Sequence, residues 1–352
     1  MSQHSVTIFD VAKAAGVSSA TVSRVLNKNP HVLPALQSRV MEAAQELGYI
    51  PNTNAQSLKT HNTHVIGFLV SDISNSYYSS IVRLVEDIVN LEQYNLIICS
   101  TGESRTREQA YLEMMQSRKV DALVLNPTCL NTQAVLDISR DIPTLLLNRS
   151  IDGPGFRGDI IDTDGYRGCY DLTKELLEHG HRKIYCVHGP MFLPNARDRF
   201  HGFIRAMSTC GIEVTEDYPY LFDGQFTFQG GVDAVSHFFR FSDYPSAIIS
   251  QNNLTTLGIL AQLKADGIRV PEDISLVSHD RSDNMELMRV CPTVATFDIQ
   301  AIAKQVGTSI LERIRDPELP NRRYLFEPTI VRGNSVGSPS VSLSQKRDLF
   351  SR

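Results

Sequence analysis

The chain has 352 residues, a formal net charge of −5, six cysteines and no tryptophan. That length suits two or three domains, each burying its own core without disulfide or metal staples. The opening MSQHSVTIFDVAK lacks the basic flank and apolar run of a secretion signal, and no stretch approaches bilayer length, so a cytoplasmic protein without a membrane partner is expected.

The first sixty residues carry +2 and the remainder −7, an asymmetry too mild to establish a nucleic-acid partner by itself. Thr7 followed by Asp10 reads as a capping box, so a helix begins there. Ile8, Val11, Ala12 and Ala15 fall at helical spacing, and Gly16 ends the run. Ser18 caps a second helix over about 19–26, with Val22, Val25 and Leu26 inward and Ser19, Ala20, Thr21, Ser23 and Arg24 outward. A third helix is predicted over 34–47, with Pro34 in its first turn and Val40, Ala43, Ala44 and Leu47 as its stripe. Two short helices around a Gly-containing turn form a helix-turn-helix, although periodicity alone is equally served by a plain helical bundle.

The segment TIFDVAKAAGVSSATVSRVLNKNPHV separates these readings, because it closely resembles the headpiece of the lactose-repressor (LacI/GalR) family of transcriptional regulators. The likeness continues through LGYIPNTNAQSLKT, similar to that family's hinge, and through the effector domain to about Gly333. It implies a recognition helix in the major groove, with Ser19, Ala20 and Arg24 placed to meet base edges. Thr7, Ser18, Thr21, Ser23 and Asn27 match positions that hold phosphates or backbone, helix capping being the plainer role of Thr7 and Ser18. His31 and the hinge residues Asn52, Ala55 and Leu58 complete the implied DNA-contacting set. The stretch 52–58 is too short to be a stable helix alone in water and is expected to fold on DNA, with Leu58 wedged between central base pairs.

From His64 onward VIGFLV, NLIICS and ALVLN alternate with helical patterns. A second series begins near Tyr166 with KIYCVHG, AIISQ and ISLVSHD, separated by helices at about 199–210 and 254–266. Strands alternating with helices imply parallel sheets. The expected fold class is α/β: an N-terminal helix-turn-helix headpiece (1–50), a hinge (51–62) and a two-lobed effector domain (63–336) resembling periplasmic binding proteins. One lobe is expected over 63–163 and 292–325, the other over 164–291 and 326–336, with a polar, disordered tail at 337–352.

Ligands of such sheets sit beyond the strand C-termini, where this sequence is polar and aromatic, as a hydroxyl-rich, flat-faced sugar requires. Asp72, Asn75, Tyr77 and Tyr78 follow the first strand; Asn148 stands beside Arg149. The resemblance implies Arg197, Asn252, Asp280 and the stacking Phe226 as further effector residues, with Asn253 replacing the family's usual aspartate and Ser278 and His279 its usual Gly-Tyr. An Arg197–Asp280 structural salt bridge and a core role for Phe226 are the plain alternatives. A purine or other metabolite is the alternative effector.

A sugar-transport protein is opposed by the missing signal and the headpiece, and an enzyme by the absence of catalytic motifs. His179, His181 and His188 lack accompanying metal ligands, and Cys99, Cys129, Cys169, Cys186, Cys210 and Cys291 fall at no metal-binding spacing. No cofactor or metal is expected. The tail has no leucine heptads, so the implied partners are a near-palindromic operator duplex, a small-molecule effector and a second copy in a homodimer.

Overall fold

The computed structural model describes residues 6–26, 31–49, 62–151, 153–215, 217–241 and 243–339. Asn27, Asn52, Ala55 and Leu58, most of the expected hinge and the tail from 340 onward lie outside them. The chain divides into two units, 1–63 and 64–352.

In the first unit, α1 (Ile8–Ala15), α2 (Ser19–Leu26) and α3 (Pro34–Glu46) enclose a core of Val11, Ala12, Ala15, Val22, Val25, Val40, Ala43 and Ala44. Asp10 reaches back to the start of α1, accepting from the Thr7 N–H at 2.8 Å and the Thr7 hydroxyl at 2.7 Å. The capping box expected from the sequence is present, and the Thr7 hydroxyl in addition donates to Asp10. Gly16 closes α1 in the left-handed region (φ 61°), a conformation that costs glycine nothing.

The second unit contains two six-stranded sheets among the described residues. The first lobe carries β1 (Val65–Val70), α4 (Ser76–Asn90), β2 (Asn95–Ser100), α5 (Arg105–Arg118), β3 (Ala122–Leu125), α6 (Thr132–Asp141), β4 (Thr144–Leu147) and β5 (Gly158–Thr163). The second carries α7 (Gly165–Glu178), β6 (Ile184–His188), α8 (Pro194–Thr209), β7 (Leu221–Asp223), α9 (Phe228–Phe238), β8 (Ala247–Ser250), α10 (Asn253–Ala265), β9 (Ser275–His279) and β10 (Thr293–Thr296). The chain then returns through α11 (Ile299–Arg315) and β11 (Arg322–Phe326) before ending in β12 (Thr329–Val331). Sheet order is β11-β5-β4-β3-β1-β2 in one lobe and β12-β10-β9-β8-β6-β7 in the other. Helices cover both faces of each sheet, which is why the inner strands are almost wholly apolar.

Two expectations are corrected. The sequence assigned 292–325 to the first lobe, yet β10 pairs with β9 in the second sheet, so the chain crosses back only after it. The sheets are not wholly parallel either: β12 runs antiparallel to β10. Three segments thus pass between lobes, after β5, β10 and β11, and two are joined by the Asp164 N–H donating to Phe326 O at 2.9 Å. No helix among the described residues is long and apolar enough to cross a membrane.

The returning segment is tied down by a buried charge cluster. Asp159 on β5 accepts from Arg313 Nη2 at 2.7 Å and from Arg322 Nη2 at 2.8 Å. Burial alone would raise the Asp159 pKa, but hydrogen bonds and charge from Arg322 and Arg313 outweigh it and hold it below the ordinary value. A depressed carboxylate contributes stability above its unfolded pKa and loses it as pH falls through the folded one. Asp159→Ala should therefore cost about 3 kcal/mol or more in a urea titration, because two guanidinium groups are left facing each other. The gap from wild type should narrow below about pH 4, where an unfolded aspartate is protonated; a gap constant down to pH 2 would disprove the assignment.

Candidate functional site

In the headpiece, the Ser18 hydroxyl accepts from the Thr21 N–H at 3.2 Å and lies 2.9 Å from the Thr21 hydroxyl. Both hydroxyls therefore take part in capping α2. Ala20 and Arg24 are exposed on α2, Ser19, Thr21 and Ser23 are half-buried, and Thr7 and His31 are exposed outside it. The helix thus turns Val22 and Val25 into the core and leaves a short polar face ending in Arg24.

In the second unit, a cavity of about 170 Å³ opens between the lobes beyond the C-terminal ends of the strands. It is smaller than the roughly 300–1,000 Å³ of drug-sized sites, as suits one small ring. Eight of the nine expected effector residues line it: Asp72, Asn75, Tyr77, Tyr78, Asn148, Phe226, Asn252 and Asp280. Each follows a strand. Asp72 and Asn75 come after β1, Asn148 after β4, Phe226 after β7, Asn252 after β8 and Asp280 after β9.

Arg197 is the exception. Its guanidinium donates to the carbonyls of Met191 at 3.3 Å and Phe192 at 2.9 Å, holding the loop before α8, and it does not line the cavity. Arg199 does, and it is the residue that pairs with Asp280. Two positions along a helix is about 200° around the axis, so these two arginines of NARDRF point to opposite sides. The helical period could have distinguished them, since Arg199 shares a face with the buried Ala196, Phe203 and Ala206.

Arg199 donates from Nη2 to Asp280 at 3.2 Å and from Nη1 to the Gln251 carbonyl at 2.6 Å. Its charge lies 5.4 Å from the centre of the Phe226 ring, within cation–π range. Phe226 reaches that position because Gly189 has no side chain; a Cβ there would come within 2.2 Å of the ring. His279 is fully buried beside the pair, and burial, then the Arg199 charge, lower its pKa. Burial would raise the Asp280 pKa, but His279 and Arg199 outweigh it and hold it at about 2.

On the other lobe Arg149, also missed as a primary candidate, makes a bidentate pair with Glu103 at 2.7 and 2.8 Å and donates to Pro127 O at 3.0 Å. Asn148 accepts from the Thr163 hydroxyl at 2.7 Å. Burial pushes the Tyr77 phenol well above its ordinary pKa, so it stays a neutral donor. Across the cleft, the Asn75 and Asn253 amides exchange two hydrogen bonds, at 3.2 and 2.9 Å, joining the lobes. Buried polar atoms without a hydrogen-bond partner include Tyr77 Oη, Asn195 Oδ1, Arg149 Nε and Arg199 Nε, all on lining residues. Glu103, Asn148, Gln225, Phe226 and Asp280 all adopt positive φ, between 53° and 68°. Such backbone costs of order 1–3 kcal/mol per residue and marks sites where geometry outranks stability.

His179, His181 and His188 do not converge. Their ring nitrogens meet the carbonyls of Glu175, Gly337 and Gly189 respectively.

The family model described as periplasmic binding proteins and sugar binding domain of LacI family matches residues 63–321, and that described as bacterial regulatory proteins, lacI family, matches 7–52. An HTH-type transcriptional repressor PurR from Aliivibrio salmonicida is 34% identical over 335 residues, covering 94% of this chain and 98% of that protein. A transcriptional regulator CelR–cellobiose complex is 26% identical with a TM-score of 0.69, covering 94% of this chain and all of the other. The lac repressor dimer bound to operator and the anti-inducer ONPF shares the fold, with a TM-score of 0.80 at 22% identity over 95% of this chain and all of the other.

The two arginines make opposite predictions. Arg199→Ala leaves Asp280 as a buried carboxylate without its cation and should cost about 3–5 kcal/mol of stability at neutral pH. Arg197→Ala removes hydrogen bonds to the Met191 and Phe192 carbonyls from a partly exposed side chain outside the cavity and should cost less, about 1–2 kcal/mol. Paired urea titrations followed by tyrosine fluorescence decide; equal losses would refute the assignment of Arg199 to the site.

Proposed function

The chain belongs to the LacI family of bacterial regulatory proteins, and from that membership we propose that it is a cytoplasmic transcriptional repressor, working as a homodimer on a near-palindromic operator under control of a small effector. The effector is a sugar held between the lobes. One observation carries this reading: a cavity the size of one small ring, walled by the Phe226 ring, the Arg199–Asp280 pair and the Asn148 and Asn252 amides. An apolar face for the ring and convergent donors and acceptors for its hydroxyls are what a pyranose or furanose requires.

A purine or similar flat heterocycle is the second reading. Phe226 offers a stacking face, the amides of Asn148 and Asn252 offer edge contacts, and PurR repressors are among the relatives that match nearly the whole chain.

On DNA the α2 face supplies the readers. The Arg24 guanidinium can donate two hydrogen bonds to a guanine edge, while Ser19 and Ala20 allow close approach or thymine-methyl contact. Thr7, Ser18, Thr21, Ser23, Asn27 and His31 set register on the backbone, and Asn52, Ala55 and Leu58 act in the minor groove. Ligand closure and operator binding are linked reciprocally, by a coupling that typically amounts to about 5–150-fold in affinity.

The test begins by selecting a duplex from a random library with the full-length protein. Arg24→Ala should lose about 1–3 kcal/mol of discrimination at one base pair of each half-site; a loss spread evenly over all positions would contradict base reading. Operator affinity is then measured under saturating monosaccharides and, separately, nucleobases. A change with sugars alone supports the first reading and with nucleobases alone the second, whereas no change with either excludes both.

A further inference from the structure

The proposed effector reading leaves open whether the ligand enters free or as an anion such as a phosphate ester, and the charges lining the cavity bear on that directly. Arg149 and Arg199 are its lining cations, set against three carboxylates, Asp72, Glu103 and Asp280. Exposed Arg107 lies near Gly102, which is at the cavity edge, but does not itself line it.

Both lining cations are already spent. Arg149 gives its fork edge to Glu103 and a further Nη1 bond to Pro127 O. Arg199 gives Nη1 to Gln251 O and Nη2 to Asp280. Phosphate and carboxylate ligands are held best by bidentate guanidinium forks, and neither arginine has one uncommitted. Asp72 accepts two hydrogen bonds from Ser74 and enters no ion pair among the described residues, so it stands as an uncompensated negative charge.

Helix N-termini, the other common anion holders, are largely closed off as well. Asn75 caps α4, Ser104 caps α5, Thr227 caps α9 and Asn252 caps α10, each accepting from a first-turn N–H. The start of α8 has no side-chain cap, but Pro194 there removes one of its donors. What remains for a ligand is a mixed set: carboxylate oxygens and Asn195 Oδ1 that accept, the Tyr77 hydroxyl, and single Nε–H groups on the two arginines. A hydroxyl, both donor and acceptor, satisfies each of these; an oxyanion satisfies only the donors and meets a lining with one carboxylate more than it has cations.

We infer that the Glu103–Arg149 pair, with Asp72, is a charge gate that admits an uncharged polyhydroxyl ring and rejects its phosphorylated or carboxylated forms. This inference rests on the sugar reading for the neutral ligand, while the rejection of anions rests on the pair itself. Glu103 contacts ligand hydroxyls, and Arg149 is the positioning residue that fixes it.

The test uses full-length protein and isothermal titration with D-ribose, D-glucose, ribose 5-phosphate, glucose 6-phosphate and, separately, inorganic phosphate. Wild type should bind a free sugar at least tenfold tighter than its phosphate ester and show no saturable phosphate binding. Glu103→Gln removes one negative charge and releases the Arg149 fork, and should raise affinity for inorganic phosphate at least tenfold. Asp72→Asn, at a half-exposed position where folding is tolerant, should shift phosphate affinity the same way by a smaller factor. Wild type preferring a phosphate ester would overturn the gate, as would phosphate affinity unchanged in both variants. If no sugar or ester binds wild type, the sugar reading fails, while the phosphate titrations of the variants still decide the gate.

Discussion

The buried pair of Arg199 and Asp280 is the constraint around which the cleft is built. Taking a guanidinium and a carboxylate out of water costs several kcal/mol per ion, recovered only where geometry and secondary hydrogen bonds are good. The chain meets that demand from several elements. Strand β8 ends so that the Gln251 carbonyl takes a second Arg199 donor, and Asp280 follows β9 at φ 68°, with its carboxylate on Arg199 of α8. Helix α7 passes close by, and a Cβ added at Gly168 would sit 3.1 Å from His279 Nε2. A side chain there would press on the imidazole beside Asp280, which would have to give by a few tenths of an ångström.

That investment explains why the site is strained and incompletely satisfied. Five lining residues other than glycine sit at positive φ, and several buried polar atoms have no protein partner. In an ordinary core each would be a defect. Here they fall on the rims of two sheets that face each other, so the sheets supply rigidity and the loops supply chemistry.

The sequence conveyed the long amphipathic elements and the polar strand ends, because both follow from periods that a single chain displays. The three headpiece helices and the alternation from Val65 to Leu125 belong to this class. Segments whose stability comes from distant partners were not legible. Strand β5, GDIIDT, carries two aspartates and does not read as an apolar run; its Asp159 is acceptable inside only because Arg313 and Arg322, more than 150 residues later, surround it. Strand β7 has three residues, too few for any period. The boundary after β10 was misplaced because β10 joins its sheet through pairing that leaves no local mark. At the site, strand ends announced their residues, while Arg149 and Glu103 emerged only through the bidentate bond between them.

One departure from the family pattern acquires meaning in the structure. An aspartate at position 253 could only accept hydrogen bonds, whereas Asn253 both donates to and accepts from Asn75 on the opposite lobe. The bridge is neutral, so opening the cleft exposes no bare charge, and water replaces both bonds. A pair of exchanged amide bonds contributes on the order of 1–3 kcal/mol net. Coupling free energies in allosteric proteins have the same size. A latch of that strength is small enough for a ligand's contacts on both sides of the cleft to compete with it.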